Sequence, residues 1–505
     1  MAAIGEVVIV GGGTAGWMTA ALLARVLGDH ISITLVESDD IGIIGVGEAT
    51  IPPIQHVNAV LGIDEAEFLR ETRATIKLAI RFENWGALGD RYYHTFGTAG
   101  RNTGFCAFHH YWHRARADGI AADYWDFDLN YLCAREGRFA RIRSGDPTWD
   151  MPYAYHFDST LYGRYLRRYA EARGVRRIEG RVEHVRRDGL TGDVTSLALR
   201  GGAELRGQLF IDCSGARGLL IQQELNVGFE DWGHWLPCDR AMAVPSERFA
   251  QTAPFTRAIA HEAGWQWRIP LQHRNGNGLV YSSRHLDDDR AAALLLGNLD
   301  GPALGEPRII PFRTGRARQQ WHRNVVAIGL SSGFLEPLES TSIYLIQSAI
   351  VRLLHFFPGD GVERKAVAEY NRQSQQEFET VRDFIVLHYH ATCRTDSAFW
   401  RDLSGMTVPD RLAMKIALFR ATGFLSQDAF DIFKEASWVQ VLLGQGVEPA
   451  AHHPLADAVE GDALAAQLRD LAALKREPLP DMPLHDDFLR TFGASMDAGK
   501  SSVKG

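Results

Sequence analysis

Cysteines are scarce in this chain, and no two of them form a CxxC pair. Five cysteines are spread over 505 residues, which argues against a disulfide framework and a zinc site, so we expect no metal centre. Basic residues are not in excess either. The net charge of −8 leaves no basic surface of the kind that binds nucleic acid.

Long apolar runs are also missing. No run reaches the roughly 18 residues that a membrane-spanning helix needs, and no basic segment precedes the first apolar run, as it would in a signal peptide. We therefore expect a cytoplasmic protein without a membrane partner. Hydrophobic residues make up 46% of the chain, enough for a large core, and the length predicts about three domains' worth of chain.

The N-terminal stretch EVVIVGGGTAGW, residues 6–17, predicts a strand, a glycine-rich turn and a helix. Its spacing is that of a dinucleotide-binding turn, and the helix from Trp17 would point its N–H groups at a pyrophosphate. Glu37 closes a second strand, 31–36, where an acidic residue holds ribose hydroxyls. This order predicts FAD or NAD; a glycine-rich turn in an ordinary βαβ unit is the alternative. The predicted contacts in the turn are Gly11, Gly13, Thr14, Ala15 and Gly16.

Strands ending at Asp212 and Gly329 would join the first βαβ unit in one sheet, so the cofactor domain is predicted to be discontinuous. The fold class is α/β: a Rossmann-like domain, a substrate-binding domain and a mainly helical C-terminal part. The predicted ranges are 1–84, 155–215 and 324–360 for the cofactor domain, 85–154 and 216–323 for inserted substrate-side segments, 361–494 for the helical substrate region, and 495–505 for a disordered tail.

Two further segments alternate like strands. In residues 74–85 the side chains of Ile76 and Ile80 share an apolar face, and Lys77 lies on the polar face, as a solvated lysine would. In 264–270 the two tryptophans share one face, as in a plain core stripe. Glu339 precedes a helix predicted from about 341 to 356, where a capping carboxylate is the ordinary interpretation.

Four motifs together resemble the flavin-dependent halogenases usually called tryptophan halogenases: GGGTAGW (11–17), GVGEATIP (45–52), GWQWRIP (264–270) and GFLEPLEST (333–341). The resemblance covers nearly the whole chain. It implies an FAD-binding fold of the glutathione reductase and p-hydroxybenzoate hydroxylase type. It also implies the activity, in which FADH2 and O2 give a flavin hydroperoxide, a chloride or bromide ion attacks it, and hypohalous acid halogenates an electron-rich arene.

The resemblance assigns roles to individual residues. Lys77 is the essential lysine that meets the hypohalous acid, and Glu339 is the second catalytic residue. Thr341 and Ser342 hold the halide through backbone N–H groups, although better-known members have glycine where Ser342 stands. The indoles of Trp265 and Trp267 keep the substrate away from the flavin. Further implied cofactor contacts are Gly47, Glu48, Ala49, Gly329 and Ser340, and further substrate contacts are Pro52, His94, Phe96 and Trp438.

The C-terminal region departs from the tryptophan-specific members. Residues 434–446 offer Trp438 as an aromatic wall but no paired tyrosines, which favours a free indole or a larger arene over tryptophan, as in indole-type members.

An aromatic hydroxylase and a non-catalytic flavoprotein are the alternatives. The hydroxylase pattern needs acids in the stretches 213–218 and 329–333, and this chain lacks them. Reduced FAD must then come from a separate NAD(P)H-dependent flavin reductase. A homodimer is possible.

Overall fold

The computed structural model describes residues 4–40, 47–120, 122–428 and 430–492. Two sequence predictions therefore lie outside the described residues: the start of the second glycine-rich loop, 41–46, and the tail, 495–505. None of the helices in these ranges is long and apolar enough to cross a membrane.

The described ranges contain 22 strands. These are β1 (Glu6–Val10), β2 (Ser32–Glu37), β3 (Gly47–Ala49), β4 (Thr75–Lys77), β5 (Ala79–Glu83), β6 (Arg91–Thr95), β7 (Ala154–Asp158), β8 (Arg176–Glu179), β9 (Val182–Arg187), β10 (Val194–Leu199), β11 (Glu204–Arg206), β12 (Leu209–Asp212), β13 (Phe229–Asp231), β14 (Arg240–Ser246), β15 (Phe255–His261), β16 (Gly264–Pro270), β17 (Asn275–Tyr281), β18 (Arg308–Pro311), β19 (Gly315–Ala317), β20 (Trp321–His322), β21 (Val325–Ala327) and β22 (Gly333–Phe334).

The same ranges contain 14 α-helices. These are α1 (Thr14–Leu27), α2 (Ile54–Leu61), α3 (Glu65–Glu71), α4 (Phe108–Ala117), α5 (Leu129–Glu136), α6 (Ser159–Glu171), α7 (Asp288–Gly297), α8 (Ser342–His355), α9 (Arg364–His390), α10 (Ala398–Ser404), α11 (Asp410–Thr422), α12 (Glu435–Gly444), α13 (Gly461–Arg476) and α14 (His485–Arg490).

The first of two compact units comprises residues 1–73, 157–239 and 311–379. Its main sheet has six strands in the order β20-β21-β12-β1-β2-β8, parallel except at β20. Both faces of the central strand β1 are covered, which explains its run of valine and isoleucine. On one face Val8 and Phe210 pack against Leu197 of the small sheet β9–β11. The predicted α/β class and the joining of β1, β12 and β21 in one sheet are confirmed.

The second unit comprises residues 74–156, 240–310 and 380–505. It is built on a seven-stranded sheet in the order β18-β14-β17-β16-β15-β5-β6, in which β5 and β15 run parallel. Helices α10–α14 belong to this unit. The structure thus assigns residues 74–84 to the second unit, whereas the sequence suggested a cofactor domain that extended to residue 84. The predicted domain ranges, as functional units, stay a prediction.

The prediction of one half-exposed strand over 74–85 is wrong. Strand β4 pairs with β7, and β5 pairs with β15 and β6, so the chain changes sheets at Leu78. The backbone of Leu78 joins neither ladder: its N–H donates to the carbonyl of Pro254, and its carbonyl accepts from Phe96. Both faces of β4 are buried, and the polar face that the alternation predicted does not exist there.

Candidate active site

The glycine turn lies between β1 and α1, and each glycine has a different reason to be there. A β-carbon on Gly11 would lie 2.2 Å from the carbonyl oxygen of Cys213, and one on Gly16 would lie 1.9 Å from that of Gly11. A β-carbon on Gly13 would meet nothing within 4 Å. Helix α1 begins at Thr14, three residues earlier than predicted, and no side chain caps it. The open space at Gly13 therefore faces free helix N–H groups, an arrangement that suits an anion such as pyrophosphate.

Glu37 stands at the end of β2, as predicted, and is held by a cation that the sequence analysis missed. Arg177 of β8 donates from Nε to Oε1 of Glu37 at 2.6 Å. The other carboxylate oxygen lies 1.4 Å from where a β-carbon of Gly12 would be. One oxygen is thus paired and the other lies against the turn, and Gly12, the middle one of three consecutive glycines, was the sequence signal for this close approach.

Strand β3 carries the predicted residues Gly47, Glu48 and Ala49. Gly47 and Ala49 are buried, and Glu48 is half-buried as a residue, with its carboxyl withdrawn from water. Burial raises the pKa of the Glu48 carboxyl to about 7, so near neutral pH this group can either donate or accept a hydrogen bond. Pro52 is half-buried in the turn before α2.

Gly329, which follows β21, lies close to the start of helix α1. Its φ is +79°, and a β-carbon there would come within 2.8 Å of the Ala15 β-carbon. Two residues predicted separately as cofactor contacts are therefore neighbours.

The segment before α8 buries the carboxylate of Glu339 and the hydroxyl of Thr341. Glu339 ends a short 3-10 turn and is 1% exposed. Ser340 follows in the left-handed region at φ +59°, and Thr341 is the N-cap of α8. The side chain of Thr341 makes no capping hydrogen bond, and the interpretation of Glu339 as a capping carboxylate stays a prediction.

The Thr341 hydroxyl is buried and has no hydrogen-bond partner among the described residues. Ser342 is the first residue of α8. A free hydroxyl donor beside unpaired N–H groups at the positive end of a 14-residue helix is a suitable site for a small anion.

Lys77 is completely buried in β4, so the interpretation as a solvated lysine is wrong. Its Nζ lies 5.1 Å from the centre of the Phe96 ring. Burial, with the positive charge of Lys77 as the next cause, holds the pKa of His156 well below its usual range. The amine thus lies over an aromatic ring, and its charge acts on a buried imidazole that stays neutral.

Two of the predicted substrate residues, His94 and Trp438, belong to an aromatic cluster in the second unit. His94 lies on β6, and Phe96 follows directly after that strand, which ends at Thr95. The His94 ring is 5.6 Å from Phe384, which in turn lies 4.8 Å from Trp438. Phe433 stacks on Phe384 at 3.9 Å. Sequence reasoning missed Phe384 and Phe433, whose helical and loop surroundings carried no motif.

Trp438 is anchored on one side only. Lys415 places its Nζ 4.2 Å from the centre of the indole, whereas the buried indole N–H has no partner among the residues that the structure describes. Two residues further along α12, Oε1 of Gln440 accepts a hydrogen bond from the N–H of Thr95 at 2.7 Å. This bond ties the helix of Trp438 to the strand of His94.

The signature motif forms β16, and every residue in it is buried. Trp265 and Trp267 lie 6.1 Å apart between ring centres, on one face as predicted. A β-carbon on Gly278 would lie 2.0 Å from the Trp267 ring, so a glycine in β17 makes room for that indole.

The predicted cofactor and anion residues, with Glu339, therefore belong to the first unit, and Lys77, the aromatic cluster and the signature tryptophans belong to the second. The residues fit the expected flavin dinucleotide: open space at Gly13, a carboxylate oxygen at the turn and an orphan hydroxyl at α8. No cluster of His, Cys, Asp or Glu among the described residues could hold a metal ion.

Comparison with known proteins agrees with this site. Residues 6–461 match the family described as tryptophan halogenase. The tryptophan 6-halogenase of Streptomyces toxytricini is 36% identical over 94% of this chain and 96% of its own length. Two solved flavin-dependent halogenases are closer in sequence: that of Xanthomonas campestris is 48% identical with a TM-score of 0.95, covering 97% of this chain and 98% of its own.

The other, from Brevundimonas sp. BAL3, is 46% identical with a TM-score of 0.94, covering 97% of this chain and 99% of its own. These relatives are halogenases and give no support to the hydroxylase alternative. The predicted family resemblance is confirmed, and the chain belongs to the tryptophan halogenase family as a flavin-dependent halogenase.

Proposed function

We propose that this halogenase transfers chlorine or bromine to an electron-rich arene of the indole class, with Lys77 and Glu339 as its catalytic residues. The observation that carries the proposal is the completely buried Lys77 amine against the Phe96 ring. Burying a lysine is costly because its charged amine loses water, so a completely buried lysine is more often kept for a chemical task than for stability. Delivery of an electrophile to an aromatic substrate is a use that fits its surroundings.

Reduced FAD, when bound, would supply together with O2 the chemistry that oxidises the halide to hypohalous acid. The protein's own contribution is to bind the flavin and the halide. The turn at Gly13 and the carboxylate of Glu37 would bind the dinucleotide, and the N–H groups of Thr341 and Ser342 would bind the halide. A separate NAD(P)H-dependent flavin reductase supplies the reduced flavin, because the chain shows no second glycine fingerprint for a nicotinamide.

Lys77 would hold the hypohalous acid by hydrogen bonds or carry the halogen on its amine. Glu339 would orient the electrophile and accept the proton that the halogenated ring loses. The buried indoles of Trp265 and Trp267 would separate the arene from the flavin. These roles keep a strong oxidant away from everything except the substrate ring.

For the substrate we favour free indoles. The cluster around His94, Phe384 and Trp438 offers flat aromatic surfaces, and residues 434–446 contain no paired tyrosines to grip an amino-acid backbone. The preference between chloride and bromide is left to experiment. The homodimer and the cytoplasmic location stay predictions.

The test combines the protein with FAD, a flavin reductase, NADH, chloride and bromide, and a panel of indoles and phenols. We expect mass spectra of the products to show the isotope pattern of chlorine or bromine, with free indoles converted best. Absence of halogenated product from every arene would contradict the proposal. Steady NADH consumption by the protein alone, with a hydroxylated product, would replace it by hydroxylation.

A further inference from the structure

Two buried histidines bind β4, the short strand that carries Lys77. His156 contacts the side chain of Thr75, and His485 contacts the backbone N–H of Ile76. His156 of β7 lies directly opposite Thr75 in the β4–β7 ladder. His485 is the first residue of the C-terminal helix α14. Both imidazoles are at most 1% exposed.

The hydrogen bonds of His156 allow only one assignment of donors and acceptors. Thr75 donates its single hydroxyl proton to the carbonyl of Pro270 at 2.7 Å. The same oxygen lies 3.1 Å from Nδ1 of His156, so Nδ1 must carry a proton and donate it. In the neutral ring Nε2 is then an acceptor, and the Thr256 hydroxyl at 2.8 Å donates to it.

This chain of bonds runs from β15 through β7 and β4 to the end of β16. It joins the Lys77 strand to Pro270, the last residue of the signature strand. Removing one member of a directed chain leaves its neighbours without a donor or an acceptor and weakens the bonds that remain.

His485 fixes the other edge of β4. Its Nε2 accepts a hydrogen bond from the N–H of Ile76 at 3.0 Å, and its Nδ1 lies 2.8 Å from the carbonyl of Thr252. A backbone N–H can only donate and a carbonyl can only accept, so this imidazole also has one tautomer. Burial lowers the pKa of His485 to about 4, which keeps the ring neutral and able to accept.

The neighbouring backbone is held as well. Gln272 donates to the carbonyl of Ala74 at 2.6 Å, and the N–H of Leu78 donates to Pro254 at 2.8 Å. The backbone on each side of Lys77 therefore has partners from segments far away in the sequence. Little freedom remains for the position of its amine.

We propose that His156 and His485 are positioning residues that clamp β4 from both sides and fix the Lys77 amine for halogen transfer. The proposal rests on the proposed role of Lys77. It assigns neither imidazole any contact with substrate or flavin. Loosening the clamp should leave the formation of hypohalous acid intact and allow more of it to escape without reacting with the arene.

The test measures two products in a single turnover with pre-reduced FAD, bromide and indole: bromoindole, and hypobromous acid caught by a soluble β-diketone. For His485→Leu we expect the ratio of bromoindole to trapped acid to fall about tenfold, since a displacement of about 1 Å can cost a hundredfold in rate. His485→Gln, which keeps an acceptor and a donor, should restore most of the ratio. A structural role alone would lower both products together and leave the ratio unchanged.

His109→Leu is the matched control. His109 is also buried, and its ring donates to a backbone carbonyl outside β4, that of Gly423, at 2.8 Å; the ratio in this variant should equal that of the wild type. If His485→Leu does not fold, Thr75→Val breaks the His156 chain with a side chain of the same shape and should lower the ratio.

An unchanged ratio in folded His485→Leu or Thr75→Val would overturn the clamp. Wild-type protein that makes no bromoindole would instead refute the proposed function, so the two failures are distinguishable.

Discussion

The Nζ of Lys77 lies 5.1 Å from the centre of the Phe96 ring, and the lysine is completely buried. A charged amine over an aromatic face is stabilised by the ring quadrupole. The same ring also restricts what can approach the amine, because it covers one side of it. The pair therefore gives the predicted catalytic amine a fixed, water-poor setting.

Lys77→Ala should abolish halogenation while leaving the reoxidation of FADH2 by O2 unchanged, since the lysine acts after hypohalous acid forms. Flavin absorbance and product mass spectra measure the two steps separately. Lys475→Met is the control: Lys475 is 1% exposed, close to Thr148 and Trp149. It should lose stability by about 1–3 kcal/mol, because the carbonyl of Thr148 is left without its donor, yet keep its product yield per folded molecule. Full halogenation by Lys77→Ala would remove this lysine from the mechanism.

Gly12→Ala should weaken FAD binding by about tenfold or more, the effect of roughly 1.4 kcal/mol. The new methyl group would occupy the position of the Glu37 carboxylate oxygen and push that carboxylate away from the turn. Titration of flavin fluorescence gives the dissociation constant. Gly163→Ala in α6 is the control, because a β-carbon there meets nothing within 4 Å, and it should bind FAD as the wild type does.

Thr341→Val tests the predicted halide site. Without halide the variant should be as stable as the wild type or more stable, because an unpaired buried hydroxyl costs about 1–3 kcal/mol. The rise in Tm that bromide gives the wild type should become smaller, because the halide loses the hydroxyl donor but keeps the backbone N–H groups. In Thr72→Val, which removes a buried hydroxyl bonded to Phe68, the bromide effect should persist. An undiminished bromide effect in Thr341→Val would place the halide elsewhere.

Local patterns sufficed to predict β1, β2, β12 and β21 of the first unit's main sheet, because these strands are largely apolar and need no distant partner to be recognised. Strands β8 and β20 of the same sheet were not predicted. The break at Leu78 could not be predicted, since β4 and β5 pair with segments around residues 155 and 257. For the same reason the alternation of 74–85 gave the wrong exposure for Lys77. The clamp was equally hidden: Ile76 and His485 are 409 residues apart.

Site residues were predicted from the sequence where they belong to a motif. They were missed where only the packing of the folded chain brings them to the site. Glycine spacing located Gly13 and Gly16, but nothing local joins Arg177 to Glu37, which are 140 residues apart. Phe384 lies on α9 among other apolar residues, and only the tertiary structure shows that its ring contacts His94. Long-range contacts of this kind are set by the fold and have no periodic signal.

Gln440→Leu should raise KM for the arene about tenfold, the cost of a lost buried hydrogen bond, with little change in kcat. The side chain of Gln440 bonds both the N–H and the hydroxyl of Thr95, so its loss lets the helix of Trp438 move away from β6. Steady-state kinetics with indole measures both constants. Gln445→Leu, which removes a bond to the carbonyl of His388 instead, should leave KM unchanged. If the KM of Gln440→Leu equals that of Gln445→Leu, the bond between α12 and β6 has no influence on substrate binding.

Glu48→Gln should remove a pH-dependent part of the stability. The pKa of Glu48 is raised from 4.5 to about 7 in the folded chain, so the folded state binds a proton that the unfolded state releases. The contribution is therefore fully present below about pH 4.5 and is lost as the pH rises through about 7. Other groups titrate alike in both proteins and cancel in their difference. The Tm of the wild type minus that of Glu48→Gln should fall between about pH 5 and about pH 8, and a constant difference would mean that Glu48 is ionised throughout.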